Sequence, residues 1–97
     1  MQSFAYPEYL LRKTALIQFI LYSRTYCHLC EDMLQALQKF SDNYLFTVEV
    51  IDVDADETLL AQYDELVPVL SGIKHGETTQ LCHYFLDEEN VKAFLDG

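Results

Sequence analysis

Tryptophan is absent from this sequence, cysteine occurs only three times, and basic residues number six against sixteen acidic ones. The missing tryptophan excludes little, because seven tyrosines and six phenylalanines supply the aromatic bulk of a core. The shortage of lysine and arginine excludes more. A formal net charge of -10 repels a phosphate backbone, so nucleic acid is not an expected partner. The acidity itself reads as solubility and self-repulsion rather than as a mark of a cationic partner. Three cysteines are too few for a disulfide scaffold, and an odd count leaves one unpaired. No apolar run is long enough to span a bilayer. The run "TALIQFIL" follows Arg12 and Lys13, but the bulky "YSRTYC" after it offers no small-x-small cleavage site. A cytoplasmic protein acting as a monomer, with no membrane partner, is therefore expected, in a compartment that keeps thiols reduced.

The 97 residues make one domain. Residues 1–14 have mixed polarity, contain Pro7 and show no clean period, and they read as an N-terminal extension to a domain over 15–97. "ALIQFILY", Ala15 to Tyr22, is almost wholly apolar and predicts a strand buried on both faces. From Cys27 the period becomes helical. Cys30, Met33, Leu34, Leu37 and Phe40 share one face, opposite Glu31, Asp32, Gln35, Gln38 and Lys39. "LFTVEVIDVD" predicts a second strand, Glu57 to Tyr63 a short helix, and "LVPVLSG" a third strand with a proline inside it. "IKHGET" is a turn around Gly76, leading into a fourth strand, "TQLCHYF". Asp87 then caps a last helix whose buried face holds Val91, Phe94 and Leu95. The order β-α-β-α-β-β-α implies an α/β domain. Its parallel pair is joined through a helix and completed by a hairpin into a four-stranded mixed sheet with helices on both faces.

Chemistry concentrates in "LYSRTYCHLCEDMLQAL", where Cys27 and Cys30 sit at the join of strand and helix. A bond between them closes so short a loop that it stabilises little, so a structural staple explains them poorly. A metal site is the next reading, with Cys82 and His83 as further ligands. Neighbours on a strand point to opposite faces, however, and structural zinc wants four converging ligands. No metal is expected, although a cluster shared between two chains through Cys27 stays open. Haem attachment fails because Glu31, not histidine, follows Cys30. Redox chemistry fits best. A thiol at a helix N-terminus meets unpaired N–H groups and the positive end of the dipole, which stabilise S⁻. A thiol one turn further in is placed to resolve a mixed disulfide formed at the first.

With "YSRTYCHLC" closing the first strand, Val67-Pro68 opening the third, and this order of elements, the chain resembles the thioredoxin-fold family, and within it the glutaredoxin-like proteins. The resemblance covers about Ala15 to Leu95. It implies a small thiol–disulfide oxidoreductase acting on thiol- or disulfide-containing proteins or small molecules, with Cys27 as nucleophile and Cys30 as resolving thiol. It implies a cis Val67-Pro68 bond facing the cysteines, where the backbone of Val67 pairs with an extended substrate. Arg24 aligns with a basic residue that glutaredoxins place here, and His28 can assist when protonated, while Glu31 and Asp32 oppose both. The expected substrate-lining residues are Arg24, Tyr26, His28, Val67 and Pro68. Departures are also visible. Tyr26 stands where thioredoxins carry tryptophan, and Leu21 where they bury an aspartate. His28 and Leu29 replace the usual proline and tyrosine, and Phe85 and Leu86 replace the glycine turn that helps glutaredoxins hold glutathione. Glutathione is thus expected to bind weakly, and no other cofactor is expected. A thioredoxin-fold binding module with little catalytic activity is the alternative. Cys82 reads as a small buried residue, and the acids of "DVDAD" as caps and solvated side chains.

Overall fold

The computed structural model describes residues 17–97, and the N-terminal extension lies outside them. Strand β1 spans Ile17–Ser23. Helix α1 (His28–Gln38) follows, extended by a 3-10 turn over Lys39–Asp42. Strand β2 (Thr47–Asp52) leads through a 3-10 turn at Val53–Ala55 into helix α2 (Glu57–Tyr63). Strands β3 (Val69–Lys74) and β4 (Glu77–His83) form a hairpin, and helix α3 (Glu88–Asp96) closes the chain.

The sheet order is β2-β1-β3-β4. β1 and β2 pair in parallel from Gln18 opposite Thr47 to Ser23 opposite Asp52, as a crossover through α1 requires. β1 runs antiparallel to β3, with Tyr22 opposite Val69 and Ile17 opposite Lys74. The C-terminal end of β1 and the start of β3 therefore lie at the same end of the sheet. His75 and Gly76 turn the hairpin with φ of 56° and 80°, the left-handed pair that a two-residue hairpin loop demands. A bulge in β4 leaves Leu70 opposite Cys82 but Ser71 opposite Gln80, so Leu81 is the extra residue and still reaches the core.

Alternation along the two central strands divides the interior. Phe19 and Leu21 of β1 and Leu70 of β3 face one side, where Met33 and Leu37 of α1 and Val91 and Leu95 of α3 pack with Leu81. Tyr22 and Val69, one position out of step, face the other side and meet Val53 and Tyr63 beneath α2. There the Tyr22 and Tyr63 rings stack with centroids 4.3 Å apart. Helices thus cover both faces of the sheet. Each helix also has a side-chain N-cap. Asp56 accepts from the Thr58 and Leu59 amides, Asp87 from that of Asn90, and Cys27 from that of Cys30.

Several boundaries differ from the sequence reading, among them the fourth strand, which runs over Glu77–His83 rather than "TQLCHYF" because the left-handed Tyr84 ends it. The apolar face of the first helix continues to Phe40, but helical geometry tightens to 3-10 after Gln38, and Phe40 packs against the core from that turn. The second strand is shorter than "LFTVEVIDVD", because Asp52 caps the following turn by accepting from the Asp54 amide at 2.9 Å. The third strand begins at Val69, so Pro68 lies just before it and takes no donor from the ladder.

Candidate functional site

β1 ends at Ser23, and the chain turns through Thr25 and Tyr26 before α1 begins. Tyr26 takes a left-handed φ of 60°, and its side chain is 96% exposed. This reversal sets Cys27 at the N-cap of α1 with extended backbone (φ -104°, ψ 107°), where its Sγ accepts from the Cys30 amide at 3.1 Å. Cys27 is half-buried, whereas Cys30, one turn in, is buried among the core residues. The two are joined by a disulfide, with Cα atoms 5.2 Å apart. His28 and Leu29, between them, are exposed. The helical period accounts for this asymmetry: Cys30 shares its face with Met33 and Leu37, while Cys27 precedes the first turn.

The cysteines line a recess of about 190 Å³ with Leu21, Arg24, Tyr26, Glu31, Leu34 and Val50 among its walls. Arg24 is not free within it. Its Nε and Nη2 donate to the two Asp54 carboxylate oxygens at 3.3 and 3.0 Å, and its Nη1 donates to Asp64 Oδ1 at 3.0 Å. The hydrogen bond to Asp54 and the charge of that residue, with help from Asp64 and Asp52, tighten the guanidinium's hold on its proton. This fork matches the geometry in which arginine binds a carboxylate with two parallel bonds. The two acids lie 30 and 40 residues further along the chain. The sequence reading placed them among capping and solvated residues or passed over them.

Val67 and Pro68 lie at the same end of the sheet as the cysteine turn, since Val69 pairs with Tyr22. The Val67-Pro68 bond is cis. Val67 packs against the Tyr22–Tyr63 cluster, and Pro68 is fully buried. A residue the sequence reading missed stands directly beside them. Tyr84, after β4, has a φ of 66°, its amide donates to the Pro68 carbonyl at 2.8 Å, and its hydroxyl donates to the Glu65 carbonyl. Tyr84 thus holds a left-handed position of the kind glycine fills most cheaply, one residue before Phe85 and Leu86. An aromatic residue in a glycine conformation leaves no composition signal, so only the backbone reveals it. Beside α2 a larger recess of about 700 Å³ is lined by Glu57, Leu60, Ala61, Gln62, Asp64, Glu65 and Leu66.

The remaining thiol, Cys82, is unpaired and about half-buried, and burial pushes it up from its ordinary pKa. Among the described residues no three His, Cys, Asp or Glu side chains are grouped to hold a metal ion. No helix among them is long and apolar enough to cross a membrane.

A four-stranded mixed sheet between helices, with a C-x-x-C disulfide opening the first helix, defines an α/β protein of the thioredoxin fold. Residues 18–96 match the model of the glutaredoxin-like domain (DUF836), and the chain belongs to that family. Its structure is similar to that of protein Ne2328 from Nitrosomonas europaea, at 35% identity and a TM-score of 0.74, covering 98% of this chain and 99% of that one. Protein XcR50 from X. campestris is 28% identical with a TM-score of 0.58, over 80% and 95% of the two chains. The thioredoxin of Fasciola hepatica shares the fold at 16% identity, with a TM-score of 0.61 over 92% and 88%. No curated protein matches the chain.

Proposed function

We propose that this protein is a thiol–disulfide oxidoreductase working through the Cys27–Cys30 couple, with Cys27 as nucleophile. The observation that carries the reading is the unequal setting of the two sulfurs: Cys27 half-exposed at a helix N-cap, Cys30 buried one turn behind it. In the reduced protein the Cys27 thiolate attacks one sulfur of a substrate disulfide. A Cys27–substrate bond forms and the other substrate sulfur leaves as a thiolate. Cys30 then gives up its proton and attacks Cys27 Sγ, releasing the second substrate thiolate and closing the Cys27–Cys30 bond. Two electrons pass to the substrate, and an external thiol reductant restores the dithiol. The Cys30 N–H, which meets Cys27 Sγ at 3.1 Å, stabilises the Cys27 thiolate of the reduced protein.

The other assignments follow from the same end of the sheet. The backbone carbonyl of Val67, whose N–H already donates to the Tyr63 carbonyl, accepts from an extended substrate, and Tyr26 and His28 border it from the cysteine side. Arg24, engaged by Asp54 and Asp64, acts as a brace that joins the cysteine turn to the end of α2. Glutathione serves poorly here, because the bulky Phe85 and Leu86 stand where the resemblance expects the family's glycine turn. The cytoplasm suits this chemistry, and the absence of a disulfide scaffold supports that setting. Titration of both thiols in defined redox buffers tests the proposal. A reversible two-electron couple near the cellular thiol poise is expected. Thiols that never oxidise across that range would leave a binding module instead.

A further inference from the structure

Among the described residues, the carboxylates around the cysteines outnumber the cations, and the one cation there is already paired. Glu31 lines the cysteine recess. Asp54 and Asp64 both bind Arg24, which lines the same recess. Asp64 also lines the larger recess, together with Glu57 and Glu65 and the apolar Leu60, Ala61 and Leu66. Asp64 therefore links the two recesses, and the lining of the larger one ends at Leu66, the residue before Val67. The other described cations lie elsewhere. Lys39 is at the C-terminal end of α1, Lys74 is at the hairpin end of β3, where it donates to the Phe94 carbonyl, and Lys92 pairs with Asp96 on α3.

Resting on the oxidoreductase reading above, we propose that the substrates are disulfides flanked by positive charge, such as a peptide segment with lysine or arginine beside its half-cystine. The apolar floor of the larger recess takes the stem of such a side chain, and Glu57 and Glu65 take its charged head. Anionic disulfides are disfavoured for the same reason. A substrate carboxylate finds Arg24 occupied on both edges of its fork, and it approaches Glu31, Asp54, Asp64 and Glu65 at a cost. Charged walls of a cleft focus the field and raise encounter rates by roughly 10- to 1000-fold at low ionic strength.

Three small disulfides of nearly equal size test this with the full chain, reduced beforehand: cystamine (dicationic), bis(2-hydroxyethyl) disulfide (neutral) and 3,3′-dithiodipropionate (dianionic). Stopped-flow oxidation of the Cys27–Cys30 dithiol is followed at pH 8, where imidazole charge adds little. Each rate is divided by that of dithiothreitol with the same disulfide, which removes differences in leaving-group chemistry. At an ionic strength of about 10 mM, the normalised rate for cystamine should exceed the neutral one by about tenfold or more, with the dianion slowest. At about 1 M salt, where the Debye length is about 3 Å, the three should converge to within about twofold. The double variant Glu57→Gln/Glu65→Gln should lower the cation preference several-fold and leave the neutral rate unchanged. Glu77→Gln, at the hairpin end, should leave the preference intact.

Equal normalised rates at low salt, or a faster dianion, would overturn the charge preference while leaving the oxidoreductase reading standing. A cation preference unchanged in the double variant would overturn its assignment to the larger recess. Failure of all three disulfides to oxidise the dithiol would remove the oxidoreductase reading, and this inference with it.

Discussion

Gly72, in the middle of β3, should not tolerate even a methyl group. A Cβ built on it falls 2.6 Å from both Cε2 and Cζ of Phe94 and 3.1 Å from Cδ2. Carbon atoms in favourable contact stand about 3.5–4.0 Å apart, so the ring must retreat by roughly 1 Å. The ring is half-buried, and its retreat is limited on two sides. Its other neighbours are Phe19, whose ring centroid is 5.7 Å away, and Lys74, whose Nζ sits 4.7 Å over the ring while bonding the Phe94 carbonyl. Overpacking of this kind costs about 1–3 kcal/mol, and replacing glycine returns about 0.4–1 kcal/mol of unfolded-state entropy. A net loss of about 1–2 kcal/mol is expected for Gly72→Ala. For a domain of this size each kcal/mol lowers Tm by roughly 4–8 °C. Urea and thermal unfolding of Gly72→Ala, Phe94→Leu and the double variant provide the measurement. The double variant should recover at least about 0.5 kcal/mol relative to the sum of the singles, because the smaller side chain vacates the contested space. The rate of Cys27 with a small disulfide should not change, since Gly72 lies four residues along the chain from Pro68. A Tm for Gly72→Ala equal to the parent, or strict additivity in the double variant, would refute this packing argument.

Cys27→Ser should abolish reaction with small disulfides, whereas Cys30→Ser should still react and accumulate a mixed disulfide at Cys27, detectable as a mass increase; alkylation of the reduced protein at neutral pH should label Cys27 ahead of both Cys30 and Cys82. Turnover in a glutathione-coupled disulfide assay should be low, since losing one hydrogen-bonding arm of a charged ligand costs roughly 1.5–3 kcal/mol; Phe85→Gly/Leu86→Gly should raise it by lowering KM for glutathione, and an unchanged KM would show that these side chains are not the obstruction. Asp87→Ala should cost about 0.5–2 kcal/mol in urea unfolding through loss of the α3 cap. Stability should also fall as pH rises past the ordinary tyrosine value of 10.0, because Tyr22, mainly through burial, and Tyr44, mainly through its hydrogen bond to Asp96, hold their protons more tightly when folded than unfolded. That contribution is complete below the unfolded pKa and is lost as pH climbs through the raised one, so Tyr44→Phe should flatten the alkaline slope of a Tm-against-pH profile.

The framework was legible in the sequence because its signals are local. β1 announces itself by an apolar run, and α1 by a change of period at the cysteines. α2 and α3 are announced by aspartates one residue before their first turns. The hairpin was legible from a glycine between two β-forming segments. The cysteine pair was legible for the same reason: three-residue spacing on a helix fixes which sulfur is capped and which is buried. What escaped depends on distant parts of the chain. Arg24 reads as a free cation until Asp54 and Asp64 arrive from beyond β2 and from the end of α2. Pro68 reads as part of a strand until the register shows pairing to begin one residue later. Tyr84 carries a backbone shape that its residue type disfavours, held by bonds to Pro68 and Glu65. No pattern within its own segment predicts it.

The N-cap of α1 differs in kind from those of its sister helices. Asp56 and Asp87 accept through carboxyl oxygens, which take no part in electron transfer, so the amides they receive see the same acceptor in either redox state. The acceptor for the Cys30 amide is the Cys27 sulfur, whose charge changes with its oxidation state. A thiolate draws that N–H more strongly than a disulfide sulfur does, so the first turn of α1 should tighten when the protein is reduced and loosen when it is oxidised. Amide hydrogen exchange gives this a direct readout. Protection at Cys30 should follow the redox state, while protection at Thr58 and Asn90 stays fixed and serves as an internal reference. The opening turn of the helix thus becomes a gauge of the electrons stored at its end.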